Sequence, residues 1–164
     1  METLRQVEEM EQQVVYQAEY DQWEKEWTLP HYIQQRKKGF DEDYSKKQWV
    51  YTVNQQVIGS IVCHNFELPH IHVTGLSSVL VFEEWRNQGI GNKMMRTCMD
   101  QSPETDVFLL YSAIGETYYE KLGFKTMPRK YQKYDDLILM VHCDDDVFHY
   151  LKTLKPYQFP DYFY

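Results

Sequence analysis

Residues 81–91 read VFEEWRNQGIG, and this stretch decides the fold. The segment before it, HVTGLSSVLVF at positions 72–82, is apolar and rich in β-branched residues, which predicts a strand. After it, apolar residues recur every four positions from Ile90 to Cys98, which predicts an amphipathic helix. The stretch is therefore predicted to be a strand-to-helix turn.

The two glycines of this turn, Gly89 and Gly91, have no Cβ that would keep a ligand away from the backbone. The first amides of a helix lack partners inside the helix and lie at the positive end of its dipole, so they favour an anion such as a phosphate. Arg86 adds a charged donor. Two interpretations stay open: a site for a pyrophosphate-like group, or a tight turn that needs glycine for its geometry. A third glycine at Met94 and a Gly-Lys-Ser/Thr loop are both missing, which excludes the familiar nucleotide motifs.

Composition predicts a single domain over residues 1–164, because a 43% hydrophobic content is ample for one core. The net charge of −8 and the lack of basic blocks argue against nucleic acid and favour a cationic small partner. Cys63, Cys98 and Cys143 are widely spaced, so we expect reduced core residues and no metal site. No signal peptide and no run of about 18 apolar residues are found, which predicts a cytoplasmic protein without membrane contact.

The segments preceding the turn predict a strand at Thr3–Val7, a helix over Glu8–Trp27 that ends before Pro30, and a second helix closed by Gly39. The first helix carries one stripe of aromatic rings: Tyr16, Tyr20, Trp23 and Trp27. Two runs, 48–53 and 57–64, then predict a β-hairpin. Beyond the turn we expect a strand at 106–113, a helix at 114–125 ended by Gly123, and a strand at Leu137–Cys143.

Two of these segments resemble motifs of the GNAT family of N-acetyltransferases. Residues 86–91, RNQGIG, resemble the family's (R/Q)xxGx(G/A) signature for acetyl-CoA, and residues 118–124, YYEKLGF, resemble its FYxxLGF segment. The motifs are about 30 residues apart, in the expected order and elements. The resemblance implies an α/β (α+β) fold with a central mixed, mostly antiparallel sheet of six or seven strands flanked by about four helices.

The resemblance also implies acetyl-CoA as co-substrate. The pyrophosphate would be bound by backbone amides of the turn, with help from the side chains of Arg86 and Gln88. The predicted coenzyme-binding residues of the turn are Arg86, Asn87, Gln88, Gly89, Ile90, Gly91 and Asn92. The end of the preceding strand would bind the pantetheine arm through Val79, Leu80 and Val81, and an amide near Val81 would polarise the thioester carbonyl. That strand would have to separate from its neighbour at Leu109–Tyr111.

For catalysis, the resemblance assigns Tyr119 as the proton donor to the departing thiolate, with a packing role as the alternative. The general base is open, because the strand that ends at Val81 carries no carboxylate. His72 at its entrance is one candidate, since histidine titrates near neutrality, and an ordered water is another.

The predicted function is transfer of an acetyl group to a primary amine of a small, cationic molecule or a peptide. The acidic residues 142–146, HCDDD, form an edge of the amine pocket or a solvated turn. The aromatic tail 155–164, KPYQFPDYFY, forms a pocket wall or a dimer interface, so both monomer and homodimer are possible. The alternative function is a non-catalytic acyl-CoA-binding module with the same fold.

Overall fold

Seven strands and five helices make up residues 1–163, which this computed structural model describes. The strands are β1 Glu2–Gln6, β2 Lys46–Val53, β3 Gln56–Leu68, β4 Ile71–Val81, β5 Val107–Ser112, β6 Lys125–Thr126 and β7 Ile138–His142. The helices are α1 Glu9–Trp23, α2 Leu29–Glu42, α3 Ile90–Asp100, α4 Thr117–Glu120 and α5 Asp145–Leu151. This order confirms the predicted one, with α5 as an additional helix. The helix predicted at 114–125 is shorter, because α4 ends at Glu120 and not at Gly123.

The strands form one mixed sheet in the order β1-β2-β3-β4-β5-β7-β6. β4 and β5 are parallel, whereas β1 with β2, β5 with β7, and β6 with β7 are antiparallel. The predicted fold class, a mixed and mostly antiparallel sheet of six or seven strands with helices, is therefore confirmed. The predicted hairpin is formed by β2 and β3, and its turn residues Asn54 and Gln55 both have positive φ angles, 49° and 70°.

The first helix is shorter than its sequence predicted. We expected it to run to Trp27 and to end before Pro30, but α1 ends at Trp23. The carboxylate of Glu24 accepts a hydrogen bond from the backbone N–H of Trp27 at 2.9 Å, and such a local contact competes with helical pairing. Pro30 instead lies in the first turn of α2, where a missing N–H costs nothing.

The second helix does not close at Gly39, which corrects a second prediction. α2 continues to Glu42, and the N–H of Asp43 donates to the carbonyl of Gly39 at 3.2 Å. A Cβ added at Gly39 would lie 3.3 Å from Nζ of Lys46. The glycine therefore leaves room for a lysine side chain rather than ending the helix.

The chain divides into two compact units, Met1–Cys63 with Ser78–Cys98, and His64–Ser77 with residues 99–163. β3 and β4 each contribute residues to both units. The first unit contains a buried ionic network, in which the Glu19 carboxylate accepts from both Nε and Nη2 of Arg36 at 3.0 Å and from Nε2 of Gln48 at 2.9 Å. These bonds supply polar partners to two side chains that are buried, Glu19 at 0% and Arg36 at 5% exposure.

The cysteines of the first unit, Cys63 and Cys98, are free and buried, as predicted, with their Sγ atoms 3.5 Å apart. The second unit has its own apolar core, which includes Leu109 of β5 and Val141 of β7. Tyr131, Leu151 of α5 and Phe159 of the C-terminal segment belong to the same core. No helix among residues 1–163 is long and apolar enough to cross a membrane. In the same residues, no group of three or more His, Cys, Asp and Glu side chains is arranged to hold a metal ion.

Candidate functional site

The candidate site is built on the turn between β4 and α3. This turn begins with a single 3-10 turn, Glu83–Trp85, and continues through two residues in the left-handed region, Asn87 at φ 60° and Gly89 at φ 76°. Glycine and asparagine adopt such angles more readily than most other residues. The local sequence therefore explains why the chain reverses here and enters α3 from this side.

The start of α3 presents unpaired amides. The N–H of Lys93 makes a helical bond to the carbonyl of Gly89 at 3.1 Å, so the amides of Ile90, Gly91 and Asn92 have no acceptor within the helix. A Cβ added at Gly89 would meet no heavy atom within 4 Å, so the space beside it is open. Open space beside unpaired amides at a helix N-terminus suits an anionic group such as a pyrophosphate.

The side chains of the motif hold the turn in place. Nε of Arg86 donates to the carbonyl of Val81 at 3.0 Å, and its Nη2 donates to Oε1 of Gln22 at 2.8 Å. Nε2 of Gln88 donates to the carbonyl of Glu84 at 3.2 Å. The structure thus uses these two side chains, for which we predicted a part in phosphate binding, to brace the backbone around the amides.

The end of β4 departs from a regular strand. Ser78 has a φ of 48°, and a Cβ added at Gly59 on β3 would lie only 2.8 Å from the carbonyl oxygen of Leu80. The N–H of Phe82 donates to the carbonyl of Ile58 at 2.9 Å. Gly59 therefore permits a close approach of the irregular part of β4. We did not predict a role for Gly59 from the sequence, although a glycine inside a predicted strand indicates such a close approach.

The pairing of β4 with β5 is short. Its register covers three residue pairs, from Val73 with Val107 to Gly75 with Leu109. β4 nevertheless continues to Val81, beyond this register. The register ends before Val79–Val81, but it places Leu109 opposite Gly75. The prediction that Val79–Val81 lie beside Leu109–Tyr111 is therefore wrong, because the parallel register is offset by four residues from the expected one.

Tyr119 lies on α4 among aromatic side chains. Its ring makes edge contacts with the rings of Tyr118 and Phe124, at centroid distances of 5.0 and 5.8 Å. Its hydroxyl forms no hydrogen bond with another side chain or backbone group of residues 1–163. Burial, with a smaller contribution from Tyr118, raises the pKa of Tyr119 to about 12. The hydroxyl is therefore protonated at neutral pH, as a proton donor must be.

His72 lies at the start of β4 and is exposed. Its Nδ1 contacts the carboxylate of Glu67, and about 66% of its side chain is accessible to solvent. Its backbone N–H donates to Oδ2 of Asp106 at 2.8 Å. The hydrogen bond with Glu67 raises the pKa of His72 above its usual value. These contacts do not test the role of His72 as general base, which stays a prediction.

A model of the acetyltransferase (GNAT) domain matches residues 45–126, half of the chain. The chain belongs to the GNAT family. Acetyl-CoA is the co-substrate of that family. Among curated proteins, no sequence matches this chain.

Solved GNAT structures share the fold at low sequence identity. A possible acetyltransferase from Clostridium difficile 630 has a TM-score of 0.70 at 18% identity, with 82% of this chain and 97% of that chain covered. Spermidine N-acetyltransferase from Vibrio cholerae, in complex with CoA and spermine, has a TM-score of 0.66 at 15% identity, with coverage of 85% and 94%. The ribosomal-protein-S18-alanine N-acetyltransferase from Escherichia coli has a TM-score of 0.63 at 16% identity, with coverage of 87% and 93%.

The two segments that we associated with the amine acceptor have structural roles in this GNAT protein. The acidic run begins α5, with Asp144 at the N-cap position and Asp145 paired with Lys125. The aromatic tail packs within the second unit, where the hydroxyl of Tyr111 donates to the carbonyl of Pro160 at 2.5 Å. The last tail residue, Tyr164, lies outside the described residues.

Proposed function

We propose that this protein is an acetyl-CoA-dependent N-acetyltransferase that acts by direct transfer on a primary amine of a small, cationic molecule or a peptide. One observation carries the proposal: the unpaired amides of Ile90, Gly91 and Asn92 beside the open space at Gly89. Such a backbone site matches the diphosphate of coenzyme A in charge and in hydrogen-bonding type. The membership in the GNAT family supports the same assignment.

Acetyl-CoA supplies an activated acetyl group, and the chain supplies binding, polarisation and protons. The turn 86–92 holds the diphosphate, and a backbone amide near Val81 donates to the thioester carbonyl, where a preorganised donor lowers the barrier by about 3 kcal/mol in typical enzymes. Tyr119, whose hydroxyl stays protonated at neutral pH because burial raises its pKa to about 12, gives a proton to the departing thiolate. His72 as general base, or a water in its place, remains our prediction from sequence.

Two acceptor classes are supported by the neighbours. The Vibrio cholerae enzyme is named for spermidine, a small polycation, and the Escherichia coli enzyme for an alanine of a ribosomal protein. The net charge of −8 favours a cationic acceptor in either class. The single-domain organisation, the cytoplasmic location and the choice between monomer and homodimer stay predictions.

A non-catalytic acyl-CoA-binding module is the second candidate. One observation favours it: β4, from Ile71 to Val81, carries no carboxylate that could serve as a base. The presence of Tyr119 at the matching motif position argues for the enzyme instead.

Two measurements on the full chain separate the candidates. Calorimetry with acetyl-CoA tests binding, and release of free thiol in the presence of spermidine, a lysine peptide or ethylamine tests transfer. The enzyme is expected to bind the coenzyme and to release thiol with at least one amine. Binding without amine-dependent thiol release would establish the module, and a lack of binding would contradict both candidates.

A further inference from the structure

A second histidine, on β3, lies beside β4 near its irregular end. Nε2 of His64 and Oγ of Ser77 are 2.9 Å apart, and each residue is only 8% exposed. Ser77 directly precedes Ser78, whose positive φ marks the irregularity, and it lies two positions before Val79. A titratable side chain is thus hydrogen-bonded to the part of β4 that leads into the proposed thioester site.

The side chains of His64 and His72 lie on opposite faces of the sheet. Side chains alternate between faces, so His72 and Thr74 share one face while Gly75 and Ser77 share the other. The contacts agree, since Thr74 bonds to Asn65 at 3.2 Å on the first face. His72 and Ser77 are also five residues apart, about 16 Å along a strand. The His64–Ser77 pair is therefore a separate group from the exposed His72.

The C-terminal tail covers the His64–Ser77 face. The ring of Phe163 lies 4.7 Å from the imidazole of His64, and a Cβ added at Gly75 would lie 2.7 Å from Cζ of Phe163. Phe163 also makes an edge contact with Tyr111, at 6.0 Å. The tail thus limits the access of bulk water to the imidazole and helps to fix its orientation.

We propose that the His64–Ser77 pair accepts the proton of the amine, with Ser77 Oγ as the contacting atom and His64 Nε2 as the group that holds the proton. The inference rests on the proposed transferase function. A serine hydroxyl can accept a hydrogen bond from the substrate while it donates to a neutral imidazole. This property allows the pair to relay a proton although His64 itself is buried.

The amine arrives as its ammonium ion. One proton passes to Ser77 Oγ while the hydroxyl proton of Ser77 moves to His64 Nε2, and the neutral nitrogen then forms a bond with the acetyl carbon as the carbon–sulfur bond breaks. Tyr119 gives its hydroxyl proton to the departing thiolate. The nitrogen then loses its second proton, which restores the hydroxyl of Tyr119. His64 returns its proton to water.

The test compares ethylamine with 2,2,2-trifluoroethylamine, whose fluorines keep the amine neutral at pH 7. We expect His64→Gln to lower kcat/KM for ethylamine by about 100-fold and to leave the value for trifluoroethylamine within about threefold, because only the ammonium needs the pair. Ser77→Ala is a second variant, with the same selective loss expected and a smaller change of packing. His149→Gln, an exposed histidine on α5, is the control and should leave both values unchanged.

Three results would overturn the inference: an equal loss for both amines, which indicates a structural role; no loss for either; or a selective loss in His72→Gln and not in His64→Gln. The proposed function would survive all three, since wild-type protein would still release thiol. Coenzyme binding without thiol release for every amine would overturn the proposed function and this inference together.

Discussion

The two halves of β4 differ in how their backbone is used. In the first half, Val73 to Gly75 pair with β5 in a regular parallel register. In the second half, Ser78 adopts a left-handed conformation and the register with β5 has ended. Regular pairing uses the N–H and C=O groups of a strand, whereas a bulge leaves some of them for another partner. The proposed coenzyme contacts therefore belong to the irregular half.

A glycine lies beside the irregular half of β4 and another lies within the regular half, and they have different roles. Gly59 of β3 makes room for the backbone carbonyl of Leu80, while Gly75 makes room for the ring of Phe163. A carbonyl of the sheet cannot move without its strand, but a side chain near the chain end can rotate away. The two positions thus provide a matched pair for testing which half of β4 is structurally constrained.

The largest effect on stability is expected from Gly59→Ala. The new methyl group would lie 2.8 Å from the carbonyl oxygen of Leu80, so the end of β4 must shift, and we expect a loss of about 3 kcal/mol in the free energy of unfolding. Coenzyme affinity should fall as well. Chemical denaturation and calorimetry measure the two effects. Gly75→Ala is the control, with an expected loss below about 1 kcal/mol, and equal losses would remove the distinction between the halves.

The Tyr119→Phe variant tests whether the backbone amides alone bind acetyl-CoA while the Tyr119 hydroxyl acts only in the transfer step. Removal of the hydroxyl should lower kcat by about 100-fold, because a positioned proton donor contributes at least that much in typical enzymes. The dissociation constant of acetyl-CoA should stay within about twofold, as the amides of α3 are unchanged. Thiol-release kinetics and calorimetry provide the measurements. Tyr118→Phe is the matched control, and an unchanged kcat in Tyr119→Phe would assign Tyr119 a packing role.

Gly89→Ala tests whether the amides beyond the irregular half bind the coenzyme. Both Gly89 and Gly115 have positive φ angles, 76° and 84°, and open space around them. Alanine at either position should cost about 1 kcal/mol of stability through backbone strain. Only Gly89→Ala should weaken acetyl-CoA binding, by about tenfold. Equal affinities of the two variants in calorimetry would argue that the amides do not face the coenzyme.

The smallest expected effect is a pH-dependent change in Tm caused by a substitution in the regular half of β4. Because Glu67 raises the pKa of His72 above 6.5, the pair stabilises the folded state fully below pH 6.5, and this contribution is lost as the pH rises through the raised pKa. His72→Gln should therefore lower Tm slightly at pH 6 and leave it unchanged well above the raised pKa. Both side chains are exposed, which keeps the effect small. A Tm difference that grows with pH would contradict the assignment of the pair.

The sequence predicted the parts of the fold that depend on local pattern. The order of strands and helices, the hairpin with its turn at Asn54 and the turn before α3 all follow from hydrophobic period and turn residues. Helix ends were less predictable. α1 ends early because of a contact from Glu24, and Gly39 lies inside α2. Such boundaries depend on single side-chain contacts that periodicity does not encode.

By itself, the sequence determined the strand-to-helix turn and its amides, because a glycine with positive φ and a helix N-terminus are properties of a few consecutive residues. Only the tertiary structure brought His64 to Ser77, Gly59 to Leu80 and Phe163 to Gly75. These pairs join residues of different strands or of the chain terminus, and their proximity is set by the register of the sheet and the path of the tail. Backbone sites could therefore be inferred from the sequence, whereas the side-chain pair that we propose for proton transfer required the fold.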